Sequence, residues 1–209
     1  MNFLAHLHLA DHSMTSPLGN LLGDFVKGPL SDDLDADLRL GILLHRAIDR
    51  FTDSHEQHRA AVALFMPPWR RYGPILVDLI YDHFLCLHWA HFCADPQPEW
   101  LERHYRALLR AQPYHPHHLA HGMPLALRRM AEQDWLGSYI DKHALAAALD
   151  GIGRRLRRPQ PLSRALTTLT ASDWGEMERG FLRFYPQLMA FAGQEAIRLG
   201  AAFTECDLF

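Results

Sequence analysis

Between Gly41 and His55 the chain reads GILLHRAIDRFTDSH, which sets His45, Asp49 and Asp53 four residues apart. A helix turns once in about 3.6 residues, so this spacing stacks an imidazole and two carboxylates along one side. Such a row can ligate a metal or exchange protons. Ile42, Leu43, Leu44, Ile48 and Phe51 cover neighbouring faces, so the charged row is expected to look into a shared interior cleft. Other segments offer it partners: His6 and His8 in FLAHLHLADH, Asp24 in LGNLLGDFVKG, and Asp82 followed by His83 in an otherwise apolar run. Imidazole nitrogen with carboxylate oxygen suits Mn, Fe or Zn, and Mg where oxygen dominates. Carboxylates gathered in an apolar bundle repel one another and lose hydration unless a cation or bound protons compensate.

Each piece also has a plainer reading. His45 and Asp49 fit an ordinary i,i+4 pair, and His6 and His8 fit packing histidines. Asp24 and Asn20 fit a solvated helix face, and Asp78 an exposed partner of Arg70 or Arg71. His115, His117, His118 and His121 of the loop QPYHPHHLAHGMP resemble a metal tract but equally fit a polar surface. Arg154, Arg155, Arg157 and Arg158 form a solvated patch or a docking surface for an anionic partner. Other chemistries lose their usual support, since no GxSxG elbow, no P-loop and no GxGxxG occurs. Cys86 sits inside an apolar run, where a buried inert thiol is expected.

The elements that must position these groups read as helices. FLAHLHLADH over 3–12 is too short for its period to separate strand from helix, and the lack of sheet signals elsewhere favours helix. Ser16 and Pro17 form an N-cap and first helical position, and Gly28–Pro29 close the segment they open. A helix follows the acidic loop SDDLDAD and is continued by 56–66 until Pro67 and Pro68. Another starts near Pro74 with Ile75, Leu76, Leu79, Ile80, Phe84 and Leu87 at helical spacing, and Trp89 follows it into core or rim. Further helices are expected over Glu99–Leu109, 124–135, 138–150 and 174–199, with Pro186 kinking or dividing the last. No alternating β-branched runs recur, so an all-α fold is expected, one compact helical domain over 1–209.

The chain has 209 residues, 48% of them hydrophobic, enough for a core without staples. A formal charge of −3 gives no sign of a nucleic-acid binder. Three cysteines without CxxC spacing favour reduced thiols. The start lacks a basic, apolar leader pattern, and no apolar run reaches the ~18 residues of a membrane span, so a soluble cytoplasmic protein is expected.

Taken together, NFLAHLHLA, LGNLLGDFVKG, LHRAIDRFTDSH and RRYGPILVDLIYDHFL with HW after it resemble the acyl carrier protein phosphodiesterase family. The resemblance is strong over about 2–90 and reaches more loosely to about 190, through WGEMERGFLRFYPQLM, with supporting helices over 99–199. It implies hydrolysis of the phosphodiester between 4'-phosphopantetheine and a serine of holo acyl carrier protein, with Mn²⁺ as cofactor and a helical core similar to HD-type metal phosphohydrolases. The sequence departs from a plain HD pattern, since Asp82 precedes His83 and three residues separate His45 from Asp49. On that reading Asp24, His45, Asp49, Asp82 and His83 ligate metal, and His6 or Asp53 handles protons. Asn20, Lys27, Arg46 and Arg71 face the substrate. Two rivals are a helical phosphohydrolase of nucleotides or small phosphoesters and a non-catalytic module that grips carrier proteins. The oligomeric state is left open.

Overall fold

A computed structural model describes residues 1–31, 33–111 and 123–206; side-chain placement is described to Ala201, outside 123–124. The histidine-rich loop 113–121 and the side chain of Cys206 therefore lie outside the described residues. Among the described residues every regular element is a helix and none is a strand. Its helices are α1 (Phe3–His12), α2 (Pro17–Leu22), α3 (Ala36–Ser54), α4 (Glu56–Ala63), α5 (Gly73–Leu87) and α6 (Trp89–Phe92). There follow α7 (Gln97–Ala111), α8 (Met123–Glu132), α9 (Trp135–Ser138), α10 (Lys142–Arg155) and α11 (Ala171–Cys206), with short 3-10 turns at Trp69–Tyr72 and Leu162–Thr168.

Local chemistry accounts for several boundaries. Ser16 caps α2, accepting the Gly19 amide at 3.0 Å, and Pro17 takes the first position, where no amide is needed. Asp141 does the same for α10 through the amides of His143 and Ala144. Four expectations are corrected. The helix bearing His45 begins at Ala36, because Leu38 already packs in the core. The segment 56–66 is a separate helix, since extended backbone at His55 (ψ 137°) turns the chain before α4. The helix expected over 138–150 runs from Lys142 to Arg155, started by the Asp141 cap. Pro186 divides nothing: it is exposed within a continuous α11, whose buried Phe184, Tyr185 and Leu188 hold the helix through the proline.

α1 and α5 are the most enclosed elements. Leu4, Leu7 and Leu9 of α1 and Leu76, Val77, Ile80 and Leu85 of α5 are shielded from solvent, and α11 packs on both helices and on α3 and α4. Phe181, Phe184 and Tyr185 of α11 meet Tyr81 and Phe92 in a ring-against-ring cluster. Trp89 and Trp100 are both in the core. Cys86 is buried against the Leu136 carbonyl, and burial pushes its thiol up to about 12, as expected of an inert sulfur. No helix among the described residues is long and apolar enough to cross a membrane.

Candidate metal centre

α2 lies so close to α3 that only glycine fits at the crossing. A Cβ on Gly41 would stand 2.7 Å from the Asn20 amide nitrogen and 2.8 Å from the Gly19 Cα. Just beyond, the His45 ring occupies the space a Gly23 side chain would fill. This close approach carries Asn20 to the back of His6, and α1 lays His6 over His45 with ring centroids 3.9 Å apart.

The centre is built from three residues. His6 Nε2 is 3.1 Å from Asp49 Oδ1, and His45 Nε2 is 3.1 Å from Asp49 Oδ2. The three donors all lie within 4.8 Å of one another, the one such group among the described residues. Asn20 Oδ1 is 2.8 Å from His6 Nδ1. An amide oxygen only accepts, so His6 donates from Nδ1 and turns its Nε2 lone pair toward Asp49. Burial, reinforced by the His45 charge, holds His6 below its ordinary value, so a proton on Nε2 is costly. Burial alone would raise Asp49, yet the hydrogen bond from His45 and the nearby Met1 ammonium hold its carboxyl well below the usual range. A lone pair facing a carboxylate at this distance needs positive charge between them, and the donor set of two imidazoles and one carboxylate fits a divalent transition ion.

The other expected site residues distribute around this core. Asp24 is exposed at the end of α2, 3.8 Å from His45 Nε2. Asp53 is exposed one turn past Asp49 on α3. Lys27 turns back to the Gly23 carbonyl at 3.4 Å, and Arg46 donates to the Val26 carbonyl at 2.9 Å. Asn20 is wholly buried behind His6, not on a solvated face. Arg71 is exposed with its guanidinium over Tyr72.

Asp82 and His83 are directed elsewhere. Asp82 accepts the amides of Leu4 and Ala5 at 3.0 and 3.1 Å, closing the N-terminus of α1 from α5. Burial, opposed by those two bonds, leaves its carboxyl raised to about 7. His83 donates from Nδ1 to the Tyr139 carbonyl at 2.7 Å. The two side chains are thus engaged with different neighbours, the start of α1 and the Tyr139 carbonyl.

Asp78 corrects a sequence reading. Instead of pairing with Arg70 or Arg71, it stands 3.2 Å from the Met1 amino nitrogen, which is also 3.3 Å from Asp49, and 3.6 Å from His58 Nε2. Spacing alone does not reach the partners of Asp78, nor single out His58: they come from the chain start and from α4, far away along the chain.

Beside this network opens a cavity of about 970 Å³. Asp24, Asp78 and Met1 stand on one side, and Arg129, Arg154 and Arg155 line it too. Ile75, Leu79 and the alanine-rich face of α10 make it apolar between. A pocket of this size takes a ligand much larger than a phosphate.

The acyl carrier protein phosphodiesterase family model matches residues 1–188. A protein of that name from Klebsiella pneumoniae subsp. pneumoniae is 35% identical over 193 residues, 92% of this chain and 97% of the relative. One from Photorhabdus laumondii is 35% identical over 189 residues, 90% and 93% of the two chains. One from Shigella boydii is 34% identical over 198 residues, 94% of this chain and 100% of its own. No solved structure matches the chain.

Proposed function

The chain belongs to the acyl carrier protein phosphodiesterase family, and from that premise we propose that it hydrolyses the phosphodiester joining 4'-phosphopantetheine to a serine of holo acyl carrier protein. The products are apo carrier and free 4'-phosphopantetheine. The observation that carries this reading is the His6, His45 and Asp49 cluster beside a cavity large enough for a flexible arm.

His6, His45 and Asp49 would hold the ion, with Asp24 reaching it from the cavity side. We assign Mn²⁺, which accepts both imidazole and carboxylate. Bound there, the ion supplies Lewis acidity to phosphate oxygens and lowers the pKa of water. His6 serves the ion rather than proton transfer, because its Nδ1 is committed to Asn20. Asn20 is therefore a positioning residue and not a substrate contact. Asp53, exposed one turn past Asp49, is left to orient the attacking water. Lys27, exposed three residues after Asp24, meets phosphate charge, while Arg46 braces the Val26 backbone. Asp82 acts through α1, fixing the register that presents His6.

Arg129, Arg154 and Arg155 are placed to draw an acidic carrier surface to the cavity, and that attraction weakens with salt. Free thiols at Cys86 and Cys93 suit a reducing compartment, and we place the reaction in the cytoplasm. The test is release of 4'-phosphopantetheine from holo carrier with Mn²⁺, run beside nucleoside phosphates. Release from the carrier alone is expected; cleavage of nucleotides with an untouched carrier would replace this reading with a small-phosphoester hydrolase.

A further inference from the structure

One turn apart on α5, Asp78 and Asp82 both reach the first residues of the chain. Asp82 takes the Leu4 and Ala5 amides, while Asp78 stands 3.2 Å from the Met1 amino nitrogen. That nitrogen is also 3.3 Å from Asp49 Oδ1, so one ammonium bridges a carboxylate of α5 to a carboxylate of the metal centre. The bridge is shut away from water: Met1 is 8% exposed and packs in the core. Behind Asp78 stands His58, its Nε2 3.6 Å away. Burial pushes Asp78 up, but the Met1 charge and His58 outweigh it and leave the carboxyl below its ordinary value. Asp78 therefore meets the ammonium as a full negative charge.

Asp49 is held at both oxygens, with Met1 and His6 at Oδ1 and His45 at Oδ2. Without Asp78 the ammonium would have Asp49 alone as its counterpart, and its charge would compete with a divalent ion for that one carboxylate. With Asp78 in place the ammonium is already neutralised, and Asp49 keeps its charge for the ion. We infer that Asp78 is a positioning residue for the hydrolysis: acting through the Met1 ammonium, it fixes the Asp49 carboxylate and leaves that carboxylate's charge available to a metal ion. The inference rests on the function proposed above for the reaction it serves, but its first test is metal binding, which needs no turnover.

Mn²⁺ affinity is measured by calorimetric titration, and the bound ion by electron paramagnetic resonance, in the wild type, Asp78→Asn and Asp78→Glu, each matched for far-ultraviolet dichroism. A chain with one glycine added before Met1 is run beside them. Asp78→Asn is expected to weaken Mn²⁺ binding roughly tenfold or more and to alter the spectrum of the bound ion, whereas Asp78→Glu, which keeps the charge, should recover most of the affinity. The extended chain should show the same loss, and adding Asp78→Asn to it should lower the affinity little further, because both changes break one bridge. At saturating Mn²⁺, Asp78→Asn should lower kcat and leave the KM for carrier protein near the wild type. Wild-type affinity and spectrum in Asp78→Asn, or losses that simply add in the combined variant, overturn the inference. So does a raised KM with metal binding untouched, which would make Asp78 a contact of the arm instead. The expected losses of Mn²⁺ affinity in a protein that releases nothing from the carrier would keep the bridge and remove the proposed function.

Discussion

Asn20 decides which nitrogen His6 offers, since its buried oxygen takes the Nδ1 proton and leaves Nε2 for Asp49 and an ion. Removing such an outer hydrogen bond typically costs 10–100-fold in metal affinity. Asn20→Ala should therefore weaken Mn²⁺ binding by roughly that factor in a calorimetric titration; wild-type affinity would contradict the role. His8, two residues on, is buried against the Tyr185 hydroxyl at 2.9 Å, and burial pushes it down to about 4. Unfolded, it takes a proton near 6.5, so between those values the unfolded chain binds more protons. Its contribution is fully present above pH ~6.5 and is lost as pH falls toward 4, about 3 kcal/mol in all. Denaturant titrations from pH 4 to 7 should show a shallower slope for His8→Gln than for the wild type; equal slopes would contradict it. At this scale the sequence was legible where partners are local. His45 and Asp49 share a helix face, and their contact follows from spacing. Asp82 next to His83 looked like a ligand pair, but its direction is set by the start of α1, which no local pattern encodes.

Gly19, Gly23 and Gly41 let α2 and α3 press together, and the site depends on that closeness more than on any helix alone. At Gly41 the obstacle to a Cβ is backbone, which cannot step aside. Gly41→Ala should cost about 1–3 kcal/mol in unfolding free energy. Gly23→Ala meets the His45 ring instead, so its expected signature is weakened Mn²⁺ binding with a smaller loss of stability. The reverse pattern for the two variants in paired melting and binding assays would contradict the account. Helix starts with a chemical cap were readable, as Ser16 and Pro17 show. The glycines were not, because each is dictated by what another helix places opposite it. Pro186 misled for a related reason: packing of its neighbours in the core outweighs one missing hydrogen bond.

The all-α class was legible from the absence of strand signals and the 3.6-residue period of α3 and α5. The cavity was not, since α5, α8, α9 and α10 and the chain start each contribute one wall. At the level of the molecule, the His6, His45 and Asp49 cluster adjoins the cavity through Asp24, which lines it and stands 3.8 Å from His45 Nε2. Charge works on the same scale: Arg154→Glu with Arg155→Glu should raise the KM for carrier protein several-fold, leave kcat near the wild type and flatten the dependence on salt. An unchanged KM would contradict a docking role. The most direct measurement is 4'-phosphopantetheine released from holo acyl carrier protein with Mn²⁺ by the wild type, His45→Ala and Asp49→Asn, each matched for helical content. The account predicts rapid release by the wild type and a loss of about a thousandfold or more in both variants, some 4 kcal/mol of lost transition-state stabilisation. Release at the wild-type rate by either folded variant would contradict it.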